Sequence, residues 1–299
     1  MKLQAPALLN VWASHDSATS RVYFELSSQA SAELVTANAE SSVCFELRFV
    51  GTHCLMHPDA IRVLDGLVHC VTVVPSGSDV CVRIDCEVRV TPPRLVFVGT
   101  LPYTVVLELD RSPIRWDQRT PPIVIDPRCG GKNLGTLGPI NLVEKHLNLK
   151  VALALKDALE DLGARTVLTR ATDVHVPSGV RFGIAAREKA WLMVTVGMGQ
   201  SMNPSTRGSR TRYARHSREA RELACAVQAA LVEKVGTPDL GVLPATIRPC
   251  AFLWLEVEPV VLTNKLDEAL MRSPTFIRRI AAGIANGVLR FVRQGGVHH

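Results

Sequence analysis

The spacing of hydrophobic positions changes near residue 120 of the chain. Before that point, short runs of β-branched and aromatic residues partly alternate with polar residues, which is typical of β-strands. After it, short apolar runs alternate with stretches whose apolar positions recur at helical spacing. The pattern therefore predicts an N-terminal all-β sandwich, followed by a C-terminal α/β domain with a mixed sheet flanked by helices.

Five runs carry the β prediction in the N-terminal part, and turn residues separate them. They are residues 21–26, 43–48, 80–84, 94–98 and 104–109. A polar, proline-bearing segment over residues 111–122 then predicts a linker. The expected domains are residues 1–110 and residues 123–299.

Beyond the linker, the pattern predicts strands at residues 123–125, 165–169, 191–196 and 251–257 and helices at residues 142–162 and 181–189. Two further helices are marked by their ends. Ser217 is a good N-cap and Gly236 a good terminator for one of them, and Ser273-Pro274 predicts the start of the other.

The most informative stretch is residues 123–149, with the sequence IVIDPRCGGKNLGTLGPINLVEKHLNL. A buried strand ends at Asp126-Pro127, and a glycine-rich loop follows it. A helix then begins, with Glu144 in its first turn. Open α/β folds place ligand sites where a strand ends in such a loop, so we expect the functional site here.

This stretch resembles the core motif of the zinc-dependent N-acetylmuramoyl-L-alanine amidases, which cleave between the glycan and the peptide stem of peptidoglycan. The family pattern is roughly I-D-P-G-H-G-G-x-D-x-G-x-x-G, then E-K-x-x-N-L. Matching positions are Asp126, Pro127, Gly130, Gly131, Gly135, Gly138, Glu144, Lys145, Asn148 and Leu149. A second motif, L-T-R-x-x-D-x-x-x-x-L-x-x-R, is matched at Leu168, Thr169, Arg170, Asp173 and Arg181.

The resemblance implies a zinc ion held by a His after the first strand, by the Glu at the helix start and by a His after a later strand. Here Glu144 is retained, Cys129 stands at the first His position and Gly197 at the second. A thiolate can bind zinc, but glycine has no side chain to offer. The metal site implied by the family is therefore degenerate, and we expect no zinc or weak zinc binding. His146 points away from Glu144 on the helix, and His175 lies on a loop.

The family also uses a glutamate on a late strand as general acid and base. The run FLWLEVEPVVLTN resembles that strand, and counting back from Asn264 places the catalytic position at Glu258. Glu256 is the second candidate, because residues two apart on a strand share a face.

Loss of the metal would leave Glu144 and Glu258 facing each other without a cation, which is unfavourable for two close carboxylates. We expect an arginine to replace the charge. Arg128, which stands where the family has glycine, is the leading candidate. Arg210, which stands where a glutamate is usual, is the second.

The N-terminal strand pattern resembles the AMIN-type domains that precede amidase domains and are thought to target them to the envelope or to peptidoglycan. The resemblance implies a location in the periplasm or cell envelope, peptidoglycan as partner, and envelope proteins as further partners of the β domain. No convincing export signal is visible in residues 1–12, and His298 and His299 are candidates for remnants of a purification tag.

Composition bounds these expectations. The chain has 299 residues, a formal net charge of +6 and no long uncharged apolar run, so we expect no membrane span. The mild positive charge suits an anionic cell wall, and we expect no nucleic-acid partner. The eight cysteines form neither a zinc-ribbon pattern nor a disulfide framework.

Three functions remain open at this level. The first is a zinc-less pseudo-amidase that binds peptidoglycan or regulates its turnover. The second is an active zinc amidase with a rewired metal site, which cleaves the bond between N-acetylmuramic acid and L-alanine. The third is an envelope scaffold that binds protein partners through the β domain.

Overall fold

A computed structural model of the chain describes residues 5–35, 41–57, 60–99, 101–117, 119–248 and 250–295. The chain divides into two compact units, Met1–Arg115 and Trp116–His299. This division falls inside the segment expected to be a linker. His298 and His299 lie outside the described residues.

The first unit consists of β-strands, as the alternating pattern predicts. Its strands are β1 Ala7–His15, β2 Thr19–Leu26, β3 Ser31–Leu34, β4 Ser42–Val50, β5 His53–Cys54, β6 Ala60–Arg62, β7 Val68–Ser76, β8 Asp79–Val90, β9 Arg94–Val98 and β10 Tyr103–Asp110. Within the described residues they form two five-stranded sheets, of order β5-β1-β2-β10-β9 and β3-β4-β8-β7-β6. Phe24 of the first sheet and Phe49 of the second are both fully buried, and their ring centroids lie 5.3 Å apart. The sequence pattern missed half of these strands, among them β1 and β7.

The segment expected to be a linker is packed rather than free. After β10, a short 3-10 helix at Ser112–Ile114 buries Ile114 within the first unit. Arg111 is also buried there, and its Nη1 donates to the hydroxyl of Ser20 at 2.8 Å. Trp116 belongs to the second unit, where its ring lies 6.1 Å from that of Trp191.

The second unit is an α/β domain, as predicted. Its strands are β11 Ile123–Pro127, β12 Thr166–Leu168, β13 Leu192–Val196, β14 Ser209–Ala214, β15 Asp239–Ala245 and β16 Leu253–Glu258. Its helices are α1 Glu144–Asp161, α2 Ser178–Arg187, α3 Arg218–Val235, α4 Lys265–Leu270 and α5 Pro274–Arg293. The described strands form one six-stranded sheet of order β12-β11-β13-β16-β14-β15. The sequence did not predict β14, β15 or α4, and it placed α2 three residues too late.

Local sequence explains the helix ends. The hydroxyl of Ser217 accepts a hydrogen bond from the Ala220 N–H at 2.9 Å and caps α3, while Gly236 ends it with φ of 73°. Helices α3 and α5 approach closely at Gly287, where an added Cβ would lie 2.4 Å from the α-carbon of Val227. These helices build the core against the sheet. No helix among the described residues is long and apolar enough to cross a membrane.

The sheet topology places the candidate residues together. Strands β12, β11, β13 and β16 are parallel, so their carboxyl ends meet at one edge of the sheet. Strand β14 runs antiparallel to β16, with Arg210 opposite Glu258 and Arg212 opposite Glu256. Residues after three parallel strands and residues of β14 therefore face the same region.

Candidate functional site

Arg128 lies at the centre of the site, directly after β11. Its Nη2 donates to Oε1 of Glu144 at 2.9 Å, and its Nη1 donates to Oε1 of Glu256 at 2.5 Å. The guanidinium thus bridges a carboxylate on α1 and a carboxylate on β16. Burial lowers the pKa of Arg128, but the charges of Glu256 and Glu144 outweigh burial and raise that pKa above its usual range.

The space occupied by the guanidinium depends on Gly197. A Cβ placed on Gly197 would lie 3.1 Å from Oε1 of Glu256, 3.2 Å from Cζ of Arg128 and 3.3 Å from Nε of Arg128. A larger side chain at this position would collide with the ion pair. Arg128 therefore fills the volume into which a residue-197 side chain would project.

Glu144 is buried and held by several donors. Oε2 accepts from the Thr136 N–H at 2.7 Å, and Oε1 accepts from Nδ2 of Asn148 and from the Met198 N–H, both at 3.3 Å. Burial alone would raise the pKa of Glu144, but the Thr136 hydrogen bond and the charge of Arg128 outweigh it and lower that pKa. The carboxylate is therefore fixed in position and ionised at neutral pH.

Cys129 lies beside Glu144 in a left-handed backbone conformation, with φ of 65°. Its Sγ is 2.9 Å, and Oε2 of Glu144 is 2.6 Å, from the position that a Cβ on Gly135 would take. Burial, and then the charge of Glu144, raise the pKa of this thiol, while Arg128 opposes the change. The thiol therefore stays protonated at neutral pH.

Glu256 and Glu258 lie on the same face of β16, as alternation requires, and both are largely buried. Glu258 does not face Glu144. It accepts hydrogen bonds from Nε of Arg210 and, at 3.1 Å, from Nε of Arg212. Burial raises the pKa of Glu256, with Arg128 opposing the effect and Glu258 adding to it.

Arg128 and Arg210, the two arginines that the sequence proposed as replacements for the metal charge, both bind carboxylates. Their carboxylate partners differ from those expected. Arg128 bridges Glu144 and Glu256, whereas the sequence argument paired it with Glu144 and Glu258. Arg210 binds Glu258 alone. Sequence reasoning missed Arg212, although the spacing of Arg210 and Arg212 on one strand face was a usable signal.

The remaining motif residues build the loop around the site. Arg170 is buried and donates to the carbonyls of Pro127, Arg128 and Lys145. Nζ of Lys145 donates to the Gly131 carbonyl at 2.9 Å and to Asp173 at 2.6 Å. These contacts hold the loop that carries Arg128 and Cys129.

Another buried acid that sequence reasoning missed fixes the start of α1. The carboxylate of Glu268, on α4, accepts from the Ile140 N–H at 2.6 Å and from the Leu142 N–H at 2.7 Å. Asp126, matched only as a motif position, is fully buried and accepts from the hydroxyls of Thr169 and Thr195 at 2.7 and 3.0 Å. No local sequence pattern distinguishes these acids from exposed ones.

A cleft of about 1250 Å³ lies beside Arg128, Glu256 and Glu258. Its charged lining includes Arg128, Arg210, Arg212, Glu256 and Glu258, and its apolar lining includes Phe182, Ile247, Phe252 and Trp254. The cleft is large enough for an extended ligand of several residues, since drug-sized pockets measure roughly 300–1,000 Å³.

Comparison with known proteins identifies the family and the fold of the second unit. The sequence profile of the family described as N-acetylmuramoyl-L-alanine amidase matches residues 123–290. The chain belongs to the N-acetylmuramoyl-L-alanine amidase family. The match covers the whole sheet of the second unit together with the residues that line the cleft.

Individual amidases share this part of the chain. AmiC from Neisseria meningitidis serogroup B is 28% identical over an alignment of 221 residues. The match covers 58% of this chain and 53% of AmiC. LytC from Bacillus subtilis is 28% identical over 176 residues, covering 57% of this chain and 35% of LytC. The chain thus spans about half the length of one relative and about a third of the other.

Solved amidase structures superpose on the same region. The amidase from Clostridium difficile 630 has a TM-score of 0.56 at 26% identity and covers 58% of this chain and 97% of that structure. AmiC2 of Nostoc punctiforme has a TM-score of 0.54 at 27% identity, covering 57% of this chain and 96% of that structure. Nearly all of each amidase structure therefore corresponds to somewhat more than half of this chain.

The residues at the amidase zinc positions do not fit the metal. Glu144 offers a carboxylate and Cys129 a thiol, while Gly197 offers no donor. Among the described residues, no three His, Cys, Asp or Glu side chains are arranged to hold a metal ion. His146 instead lies on the outer side of α1, 3.7 Å from Asp173. The guanidinium of Arg128 lies where a side chain at position 197 would project.

Proposed function

We propose that the protein is an amidase-family member that binds peptidoglycan and has lost zinc-dependent hydrolysis. The position of Arg128 carries this proposal. Its guanidinium lies between Glu144 and Glu256 and fills the space beside Gly197. The site therefore has a permanent cation where its relatives would need a metal ion and a ligand.

Electrostatics supports the same conclusion. The pair of carboxylates that meets Arg128 is already compensated by a positive charge within hydrogen-bonding distance. Adding a divalent cation beside a fixed guanidinium would be repulsive, and repulsion is stronger in a partly buried site than in water. Zinc entry would first require Arg128 to leave both carboxylates.

The structure around the cleft favours retained binding rather than decay of the whole domain. Arg170, Lys145 and Asp173 still organise the loop after β11, and the cleft remains open. We infer that the ligand is a strand or stem of peptidoglycan, in keeping with family membership. With this ligand we infer a location in the cell envelope, where an AMIN-like first unit would add a targeting surface.

The test combines metal analysis with binding. The full chain is incubated with excess zinc and desalted, its zinc content is measured, and it is then mixed with purified sacculi. We expect well below one zinc per chain, co-sedimentation with sacculi and no release of stem peptides. One tightly held zinc with peptide release would instead establish an active amidase with a rewired site. Failure to sediment would exclude peptidoglycan binding and favour the scaffold function.

A further inference from the structure

The charges of the cleft are divided unequally between its two sides. On the side of α1, the single guanidinium of Arg128 holds two carboxylates. On the side of β14, the single carboxylate of Glu258 holds two guanidiniums, those of Arg210 and Arg212. One side therefore has an excess of negative charge, and the other has an excess of positive charge.

The arginines of β14 retain donors for a ligand. Each uses its Nε–H on Glu258, and neither has a further hydrogen bond among the described residues. Their side chains are 20% and 30% exposed, and both line the cleft. A guanidinium has five N–H donors, so each arginine has donors beyond the one that it gives to Glu258. These unused donors are partly desolvated, which strengthens their attraction for an anion.

Arg248 increases the positive charge of this side. It lines the same cleft, is exposed, and has no ion pair among the described residues. Planar guanidiniums bind carboxylates through two parallel hydrogen bonds, which a neutral amide cannot match in strength. The chemistry of this side therefore selects a ligand with a free carboxylate.

The neighbouring wall indicates what carries the carboxylate. Phe182 and Phe252 line the cleft with ring centroids 6.0 Å apart, and Ile247 lies on the same lining. An apolar wall suits the methyl and methylene groups of a peptide. It would leave the hydroxyl groups of a sugar without partners, which is costly when they are removed from water.

We propose that Arg210, Arg212 and Arg248 form a subsite for a free carboxylate of a peptide, with Glu258 holding the first two arginines in position. This inference rests on the proposed function, and it specifies the chemical group of the ligand that the cleft recognises. The ligand is bound through its acid group rather than through the amide that an active amidase would cleave.

Calorimetric titration of the full chain tests this subsite. The probes are the peptide L-Ala-γ-D-Glu-diaminopimelate, the same peptide with its carboxylates converted to amides, N-acetylmuramic acid, and inorganic phosphate. We expect the acidic peptide to bind at least about tenfold more tightly than its amide, because hydrogen bonds to charged groups contribute that much. Equal binding of acid and amide, or tighter binding of the sugar acid or of phosphate, would overturn the proposal.

Variants identify the residues. Arg212→Gln should reduce affinity for the acidic peptide to that for the amide, and Arg248→Gln should weaken it in the same direction. Arg248 is exposed, so this second variant is not expected to disturb folding. Arg278→Gln, at an exposed position of α5 outside the cleft lining, is the matched control. Unchanged affinity in both cleft variants would contradict the proposal.

Binding to sacculi separates this inference from the broader function. A protein that sediments with sacculi but does not distinguish acid from amide refutes the carboxylate subsite and leaves the proposed function standing. A protein that binds neither sacculi nor peptide refutes both.

Discussion

The guanidinium of Arg128 lies against the α-carbon of Gly197, so that a Cβ at Gly197 would be 3.2 Å from Cζ of Arg128. The two positions are therefore coupled. Glycine at 197 leaves room for the arginine, and the arginine occupies the place that a histidine at 197 would need. A side chain at position 197 can therefore be introduced only if Arg128 moves or is replaced.

Restoring the family residues together should restore metal binding. The triple variant Arg128→Gly, Cys129→His, Gly197→His provides two imidazoles beside Glu144 and removes the competing cation, which completes a three-ligand zinc site. We expect about one zinc per chain by metal analysis.

The single variant Gly197→His is the control for this experiment. It should bind no zinc tightly, because Arg128 still occupies the space. Zinc binding by the single variant, or none by the triple variant, would show that Arg128 does not block the site.

Removing the charge of Arg128 should destabilise the region around α1. Arg128→Gln leaves Glu144 and Glu256 close together without a cation, and breaking a partly buried ion pair costs about 2–3 kcal/mol. Amide hydrogen exchange in α1 measures the loss. Arg119→Gln is the control, because Arg119 is 89% exposed in its pair with Asp117 and should change stability by less than about 1 kcal/mol. Equal protection of α1 in both variants would argue against a central role for Arg128.

Loss of Glu268 should loosen the same helix from its other side. Glu268→Ala removes the acceptor of the Ile140 and Leu142 N–H groups, and an unsatisfied buried group costs about 1–3 kcal/mol. Faster hydrogen exchange is expected in residues 138–145. Glu222→Ala, at an exposed position of α3, should leave this segment unchanged. Local exchange that stays at the wild-type rate in Glu268→Ala would refute a positioning role.

The pair formed by Asp173 and Lys145 should make stability depend on acid pH. Hydrogen bonds from Lys145 and from the Gly131 N–H lower the pKa of Asp173 below its usual value of 3.8. When the folded-state pKa of a carboxyl group is lowered, its contribution to stability is complete above the unfolded-state pKa. This contribution is lost as pH falls through the folded-state pKa. Asp173→Asn should therefore lower the thermal midpoint at pH 7, and the difference should shrink below about pH 4.

The exposed Asp161, at the end of α1, provides the control substitution Asp161→Asn. Its thermal midpoint should follow that of the wild type at both pH values. A midpoint difference for Asp173→Asn that persists unchanged in acid would indicate a packing effect rather than loss of the charge.

The sequence predicted the amidase fold because its motifs are local. The strand, glycine loop and helix around Glu144 follow from apolar spacing and from matches to the family pattern. It also named Gly197 and Cys129 as departures from that pattern, and this assignment stays a prediction.

Which arginine pairs with which glutamate could not be predicted in the same way. Arg128 meets Glu256 because β13 pairs with β16, and Arg210 meets Glu258 because β14 lies antiparallel to β16. The sequence did not predict β14, so the pairing of this strand with β16 could not be foreseen. Side-chain partners across a sheet depend on strand order, which local patterns do not contain.

The cation that joins Glu144 to Glu256 is part of the polypeptide itself. It is therefore delivered at synthesis, in fixed stoichiometry, and neither chelators nor metal starvation can remove it. On the function proposed above, the cleft keeps its shape and charge whether or not zinc is available.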